Sequence, residues 1–320
     1  MVGAFRAIGR EQIASNIVKA MTAEDYSINE VNPFAEEPAL QFSRRDTSPH
    51  VNRLRLLWAT MRSDVIGHFP APLQTQLSAA DYLADVSDKY VTDAYRSLSI
   101  EGYRVTPQLI ERVRTGGWNR EQNDSDREQV YTLAAKGYWD AFQQVRLALA
   151  WVLSGDNAGT VLEETYGDWY LALFGASVAA GIIKATDLAG YRNGPVYIRR
   201  SMLTLPAPEA VHDMLPALFE LLQNEEHPAV RIVPGHFFFV YIHPYFDGNG
   251  RMGRFLMNLM MAAGGSPWTV VPVEHRAEYM EALEAASVRR DIVPFTRFWL
   301  SWSAVNLLIQ SLIWLLRSAW

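Results

Sequence analysis

The densest chemistry in this 320-residue chain lies in one stretch, IHPYFDGNGRMGRFLMN, residues 242 to 258. Phe255, Leu256, Leu259 and Met260 recur at helical spacing and Gly264, Gly265 and Pro267 end the pattern, so the spacing predicts a helix from about 251 to 263. The glycines then fall at its N-terminus, where the first N–H groups lack intrahelical partners and the macrodipole is positive, a ready seat for phosphate. Gly248 and Gly250 allow close backbone approach and positive φ, while Asn249 tolerates the left-handed region and can itself donate. Arg251 and Arg254, three apart, share a helix face and offer planar forks matched to phosphate oxygens. Asp247 adds a hard oxygen ligand; magnesium binds through one or two carboxylates plus substrate phosphates, so a single aspartate suffices. His243, just upstream, is the side-chain type best suited to take a proton near neutral pH.

Taken singly, each component has a structural reading: a packed histidine, a tight turn, two solvated arginines. The conjunction of base, metal ligand, anion nest and two forks at one helix start points to phosphate chemistry. Gly248, Gly250 and Gly253 also spell G-x-G-x-x-G, but five residues separate Ile242 from the first glycine and the alternating strands of a doubly wound sheet are missing from the pattern. His236 and His243 do not make a metal pair, because seven helical residues rise about 10.5 Å.

The elements that must hold this stretch are helical. Ala79, Leu83, Val86, Tyr90, Ala94 and Leu98 form an inward stripe over a helix from 78 to 101, which Gly102 can cap. Thr106 and Pro107 open a second helix that Gly116 and Gly117 stop, and further helices are expected at about 126–153, 160–184, 208–222 and 228–242. GPVYIRRSMLTLPAP, residues 194 to 208, is the best strand candidate, so the class is mainly α with one short β-hairpin. Three prolines without periodicity between residues 31 and 49 mark a loop, and HFPAPLQ at 68–74 marks a second break, placing a main domain after an extension over residues 1–75.

Continuing the stripe beyond Leu98 reaches Glu101, which puts a carboxylate with the apolar face at a helix end where the macrodipole is already negative. Such a group needs a cation, and the arginines of the anion site are candidates. Ser97, one turn earlier, can hydrogen-bond the same group.

Composition sets outer bounds. The formal charge of −6 and a pI near 5.7 argue against a broad electrostatic grip on nucleic acid or an anionic bilayer. With no cysteine there is no thiolate chemistry and no Cys-bound zinc. Arg6, Arg10 and Lys19 interrupt the apolar N-terminal residues, so no secretory signal is expected and the cytoplasm is the expected location. The run FWLSWSAVNLLIQSLIWLL, 298 to 316, carries Asn306, Gln310 and serines, which suits a buried or dimerising helix rather than a membrane span; a C-terminal helix over 303–320 leaves room for a homodimer.

HPYFDGNGRMGR resembles the Fic family signature HPF-x-D-GNGR-x-x-R, differing only at Tyr245, where the family has Phe. In looser form the likeness runs from about residue 80 to about 302, through AVRIVPGHFFFVYI and VVPVEHRAEYMEALEAAS. The resemblance implies a helical Fic bundle with a β-hairpin flap, a catalytic domain over 76–302, and transfer of AMP from ATP to a Ser, Thr or Tyr hydroxyl of a target protein. In that reading His243 is the base, Asp247 holds Mg2+, and Gly248, Asn249 and Gly250 form the anion hole. Arg251 and Arg254 take the outer phosphates, and Val196, Tyr197 and Ile198 belong to the flap that holds the target. SLSIEG, residues 97 to 102, resembles the family's inhibitory motif S/T-x-x-x-E-G/N, which implies that Glu101, with Ser97, blocks the γ-phosphate by pairing with Arg254. Removal of AMP from a modified protein, transfer of another nucleotide-derived phosphate group, and a non-catalytic nucleotide-responsive interaction protein are the alternatives.

Overall fold

The computed structural model describes residues 2–23, 48–69, 77–117 and 126–301. Most of the loop expected at 31–49, most of the break expected at 68–74 and the C-terminal helix expected at 303–320 lie outside the described residues. The chain divides into two compact units, Met1–Asp46 and Thr47–Trp320. In the first, α1 (Val2–Ala7) and α2 (Glu11–Ala23) are joined by a turn at Gly9, whose φ of 74° suits glycine.

The second unit is a helical bundle: α3 (Pro49–His68), α4 (Ala79–Ile100), α5 (Pro107–Arg114), α6 (Asp126–Leu153), α7 (Ala158–Ala179), α8 (Pro208–Asn224), α9 (Pro228–Ile242), α10 (Asn249–Ala263) and α11 (Arg276–Val288), with residues 293–301 also helical. No helix among the described residues is long and apolar enough to cross a membrane. Sequence features start these helices. Ser78 Oγ accepts the Asp81 N–H at 3.1 Å to cap α4, Thr106 Oγ1 accepts the Leu109 N–H at 3.2 Å to cap α5, and α8 and α9 each begin with proline at a first-turn position where no donor is needed.

α9 is apolar over most of its circumference, Arg231 and His236 apart, and lies largely buried, packed against α10, α3 and α8. α3, expected within an N-terminal extension, belongs to this core: Val51, Leu54, Trp58, Met61 and Val65 are buried in the same cluster as α9, and Arg62 Nε meets Glu225 at 2.8 Å. The stripe on α4 begins at Tyr82 rather than Ala79, and takes in Asp93 and Ser97 with Val86, Tyr90, Ala94 and Leu98.

The hairpin expected at 194–208 does not form. No strand occurs among the described residues, and this segment is an irregular loop with a tight turn at Arg199–Arg200, closed by the Ser201 N–H on the Ile198 carbonyl at 3.1 Å. Its polar groups are taken by other partners. The Met202 N–H donates to Glu284 Oε1 at 2.8 Å, the Ser201 hydroxyl to Glu284 Oε2, and the Pro206 carbonyl accepts from Arg192. A ladder cannot compete with a carboxylate that already holds the returning arm.

Candidate active site

α9 ends at His243, which takes the left-handed conformation (φ 53°, ψ 62°), uncommon for a residue with a Cβ and costly by roughly 1 kcal/mol or more. Arg192, 2% exposed, fixes this turn: its Nε donates to the His243 carbonyl at 2.7 Å, its Nη2 to Ile242 and Pro206, and its own N–H to the Pro244 carbonyl. A lone loop arginine carries no sequence pattern that would have revealed this. His243 Nδ1 lies 3.3 Å from the Val240 carbonyl, which can only accept, so the proton sits on Nδ1 and Nε2 keeps its lone pair. Burial, together with nearby Arg192, pulls the imidazole below its ordinary pKa despite the Val240 contact.

The loop from 243 to 248 is closed by Asn249. Its side chain, 2% exposed, donates to the Tyr245 carbonyl at 2.8 Å and accepts the Tyr245 N–H at 3.0 Å. The expectation that the Asn249 side chain donates to an anion is corrected here: it stitches the loop, and only its main-chain N–H remains for an anion. Tyr245 stacks face to face on Tyr170 with centroids 3.6 Å apart. Gly248 adopts φ 87°, and α10 follows with its first intrahelical bond from Met252 N to the Gly248 carbonyl. The N–H groups of Asn249, Gly250 and Arg251 therefore precede the helical ladder.

The two guanidinium forks differ in surroundings. Arg251, 1% exposed, is sandwiched between the rings of Tyr103 and Phe174 at 5.2 and 5.1 Å and donates to Asp247 Oδ2 at 3.1 Å. Arg254 lines a cleft of about 710 Å³ with His243, Gly250, Glu101 and Ile198. Asp247 has a largely exposed carboxylate whose Oδ1 accepts the Gly248 N–H at 2.6 Å. Val196 and Tyr197 stand outside the cleft lining, and Tyr197 is 86% exposed.

Across the cleft, Glu101 Oε1 accepts from Arg254 Nη2 at 2.7 Å, and Ser97 takes the same guanidinium through Oγ (2.9 Å from Nε) and its carbonyl (3.1 Å from Nη2). Ser97 thus meets the arginine rather than the carboxylate. Burial lowers the Arg254 pKa, and the adjoining Glu101 charge more than reverses this, so the net shift is upward. A Cβ on Gly250 would collide with the Glu101 carboxylate, so glycine is what lets this oxygen lie over the helix start. α4 ends in a 6→1 bond from Tyr103 N to the Leu98 carbonyl with Gly102 at φ 91°, while Arg276 Nε caps Ile100 at 2.7 Å; these fix where Glu101 stands.

Residues 174–261 match the Fic/DOC family model. The match runs from Phe174, near the end of α7, to Met261, close to the end of α10, and so takes in His243, Gly250 and Arg254 of the cleft. The chain is 37% identical over 125 residues to the protein adenylyltransferase fic-1 of Caenorhabditis elegans, an alignment covering 38% of this chain and 22% of that protein. It is 36% identical over 112 residues to the protein adenylyltransferase Fic of Nematostella vectensis, covering 34% and 26%. The chain thus aligns with about a quarter or less of the length of these curated relatives. The solved structure of Fic-1 from C. elegans superposes with a TM-score of 0.59 at 19% identity, covering 98% of this chain and 78% of that one. A Fic family protein from Desulfovibrio desulfuricans gives 0.52 at 21% identity, covering 82% and 75%. The fold is the all-α Fic fold.

Proposed function

We propose that this chain is a protein adenylyltransferase, transferring AMP from ATP to a Ser, Thr or Tyr hydroxyl of a target protein, and that Glu101 holds it in check. One observation carries the reading: His243 and Arg254 line a single cleft at the N-terminus of α10, and Glu101 occupies the fork of Arg254 there. The lone pair on His243 Nε2 takes the target's hydroxyl proton as the oxygen attacks the α-phosphorus; the bond to the β-phosphate oxygen breaks and pyrophosphate leaves. The free N–H groups at the start of α10 stabilise the developing charge, and Arg254 binds the outer phosphates once Glu101 withdraws.

Asp247 fits a magnesium ion, being a single exposed carboxylate beside an anion seat, and such an ion neutralises phosphate charge when bound. Arg251, buried against Tyr103 and Phe174, orients that carboxylate through its 3.1 Å contact. The loop with Ile198 at the cleft is the proposed seat of the target segment.

The test is labelling with ATP carrying a marked α-phosphate. Glu101→Gly is expected to raise self-labelling or target labelling on the order of tenfold or more over wild type, since a buried arginine released from its carboxylate becomes available to phosphate. His243→Ala in the same background abolishes it. No gain on removing Glu101 would refute the inhibitory pairing, and label persisting without His243 would refute the chemistry. Loss of AMP from a pre-labelled target that requires Glu101 would instead favour removal of AMP.

A further inference from the structure

Behind the cleft wall, His236 is fully buried with both ring nitrogens engaged: Nδ1 lies 2.8 Å from the Gly253 carbonyl and Nε2 lies 2.8 Å from the Tyr279 hydroxyl. The carbonyl can only accept, so Nδ1 bears the proton; the neutral ring then accepts at Nε2, and the Tyr279 O–H must donate to it. The Tyr279 oxygen then keeps its lone pairs for a further donor, and Arg254 is a neighbouring cation that lines the same cleft. Burial pulls the His236 pKa down to about 3, with Arg254 adding to the depression, so the ring stays neutral. Gly253 makes the contact possible, because a Cβ there would press on Val240 Cγ2 at 2.9 Å and on His236 Cε1 at 3.2 Å. The third glycine of the G-x-G-x-x-G lookalike therefore serves helix packing.

We infer that His236 and Tyr279 are positioning residues that offer the Arg254 fork a neutral acceptor, keeping it aimed at the cleft when Glu101 is withdrawn. Glu101 grips Arg254 and cancels its charge, whereas the tyrosine oxygen grips it and leaves the charge for phosphate. This rests on the reading of Arg254 as the ligand of ATP's outer phosphates.

The experiment measures equilibrium binding of ATP and of AMP, in magnesium buffer, to Glu101→Gly protein and to the same protein carrying Tyr279→Phe or Arg254→Ala. AMP lacks the outer phosphates, so Arg254→Ala should weaken ATP binding and leave AMP binding unchanged. Tyr279→Phe, which keeps the ring and its packing, should weaken ATP on the order of tenfold or somewhat less, again with AMP unchanged. ATP affinity unaffected by Tyr279→Phe, with Arg254→Ala effective, would overturn the positioning role. Equal losses for ATP and AMP would also overturn it, since they mark a general disturbance of the pocket. Indifference of ATP to Arg254→Ala would overturn the reading of Arg254 itself, and this inference with it.

Discussion

At the scale of single residues, the cleft is organised by what each polar atom is already doing. His243 Nδ1 is committed to the Val240 carbonyl, which leaves Nε2 with its lone pair for the role of base proposed above, and burial holds the ring below its ordinary pKa. A base works in its neutral form, so a lowered pKa extends the neutral fraction toward acid. Transfer by Glu101→Gly protein is expected to stay flat through neutrality and to fall only below about pH 6.5, the unperturbed histidine value. A rate profile whose acid limb lies above that value would contradict the assignment. His243, Glu101 and Arg254 were legible from sequence because their types and spacings are local. Arg192, Tyr103 and Tyr279 were not, since a lone arginine or tyrosine in a loop or helix has the same local pattern whether it faces water or a neighbour 51 residues away, as Arg192 and His243 are.

At the scale of elements, α4 carries Asp93, Ser97 and Glu101 at successive turns along one face. Asp93 is buried, accepts the Tyr138 hydroxyl at 2.8 Å and lies near Trp268, Arg254 and Lys89. Burial raises its pKa to about 6, only partly offset by the Tyr138 hydrogen bond, the neighbouring Trp268 and those cations. The folded state therefore binds this proton more tightly than the unfolded chain, so the stability Asp93 contributes is full below about pH 4 and is lost as pH rises toward 6. Asp93→Asn keeps an acceptor for Tyr138 without a charge. Denaturant melts should show it gaining on wild type by on the order of 2–3 kcal/mol between pH 4 and pH 7, and a pH-independent difference would remove Asp93 as the cause. The 194–207 loop teaches the opposite lesson: its β-branched and aromatic residues favoured a strand, yet Glu284 and Arg192 captured its polar groups first.

At the scale of the molecule, the second unit is one core that reaches from α3 to the helix at 293–301. Trp58 on α3, 4% exposed, lies 5.7 Å from Phe238 on α9, the helix that delivers His243. Trp58→Ala should cost roughly 3–5 kcal/mol in urea unfolding, since large-to-small changes in such a site leave a cavity. Labelling per folded molecule should stay near wild type, because neither Trp58 nor Phe238 lines the cleft. Loss of activity without loss of stability would place α3 in the site rather than beneath it.

The sequence by itself settled the helical class, the start of α10 with its glycines, and the register that puts Ser97 and Glu101 on one face of α4. Helix periodicity and capping are decided within a few residues, so they are written locally. Only the tertiary structure decided that Arg254 faces the cleft while Arg251 lies between two rings, that Asn249 ties its own loop, and that the 194–207 segment pairs with no strand. Those outcomes depend on which partner, distant in the chain, packing brings within 3 Å of a polar atom, and no local pattern carries that choice.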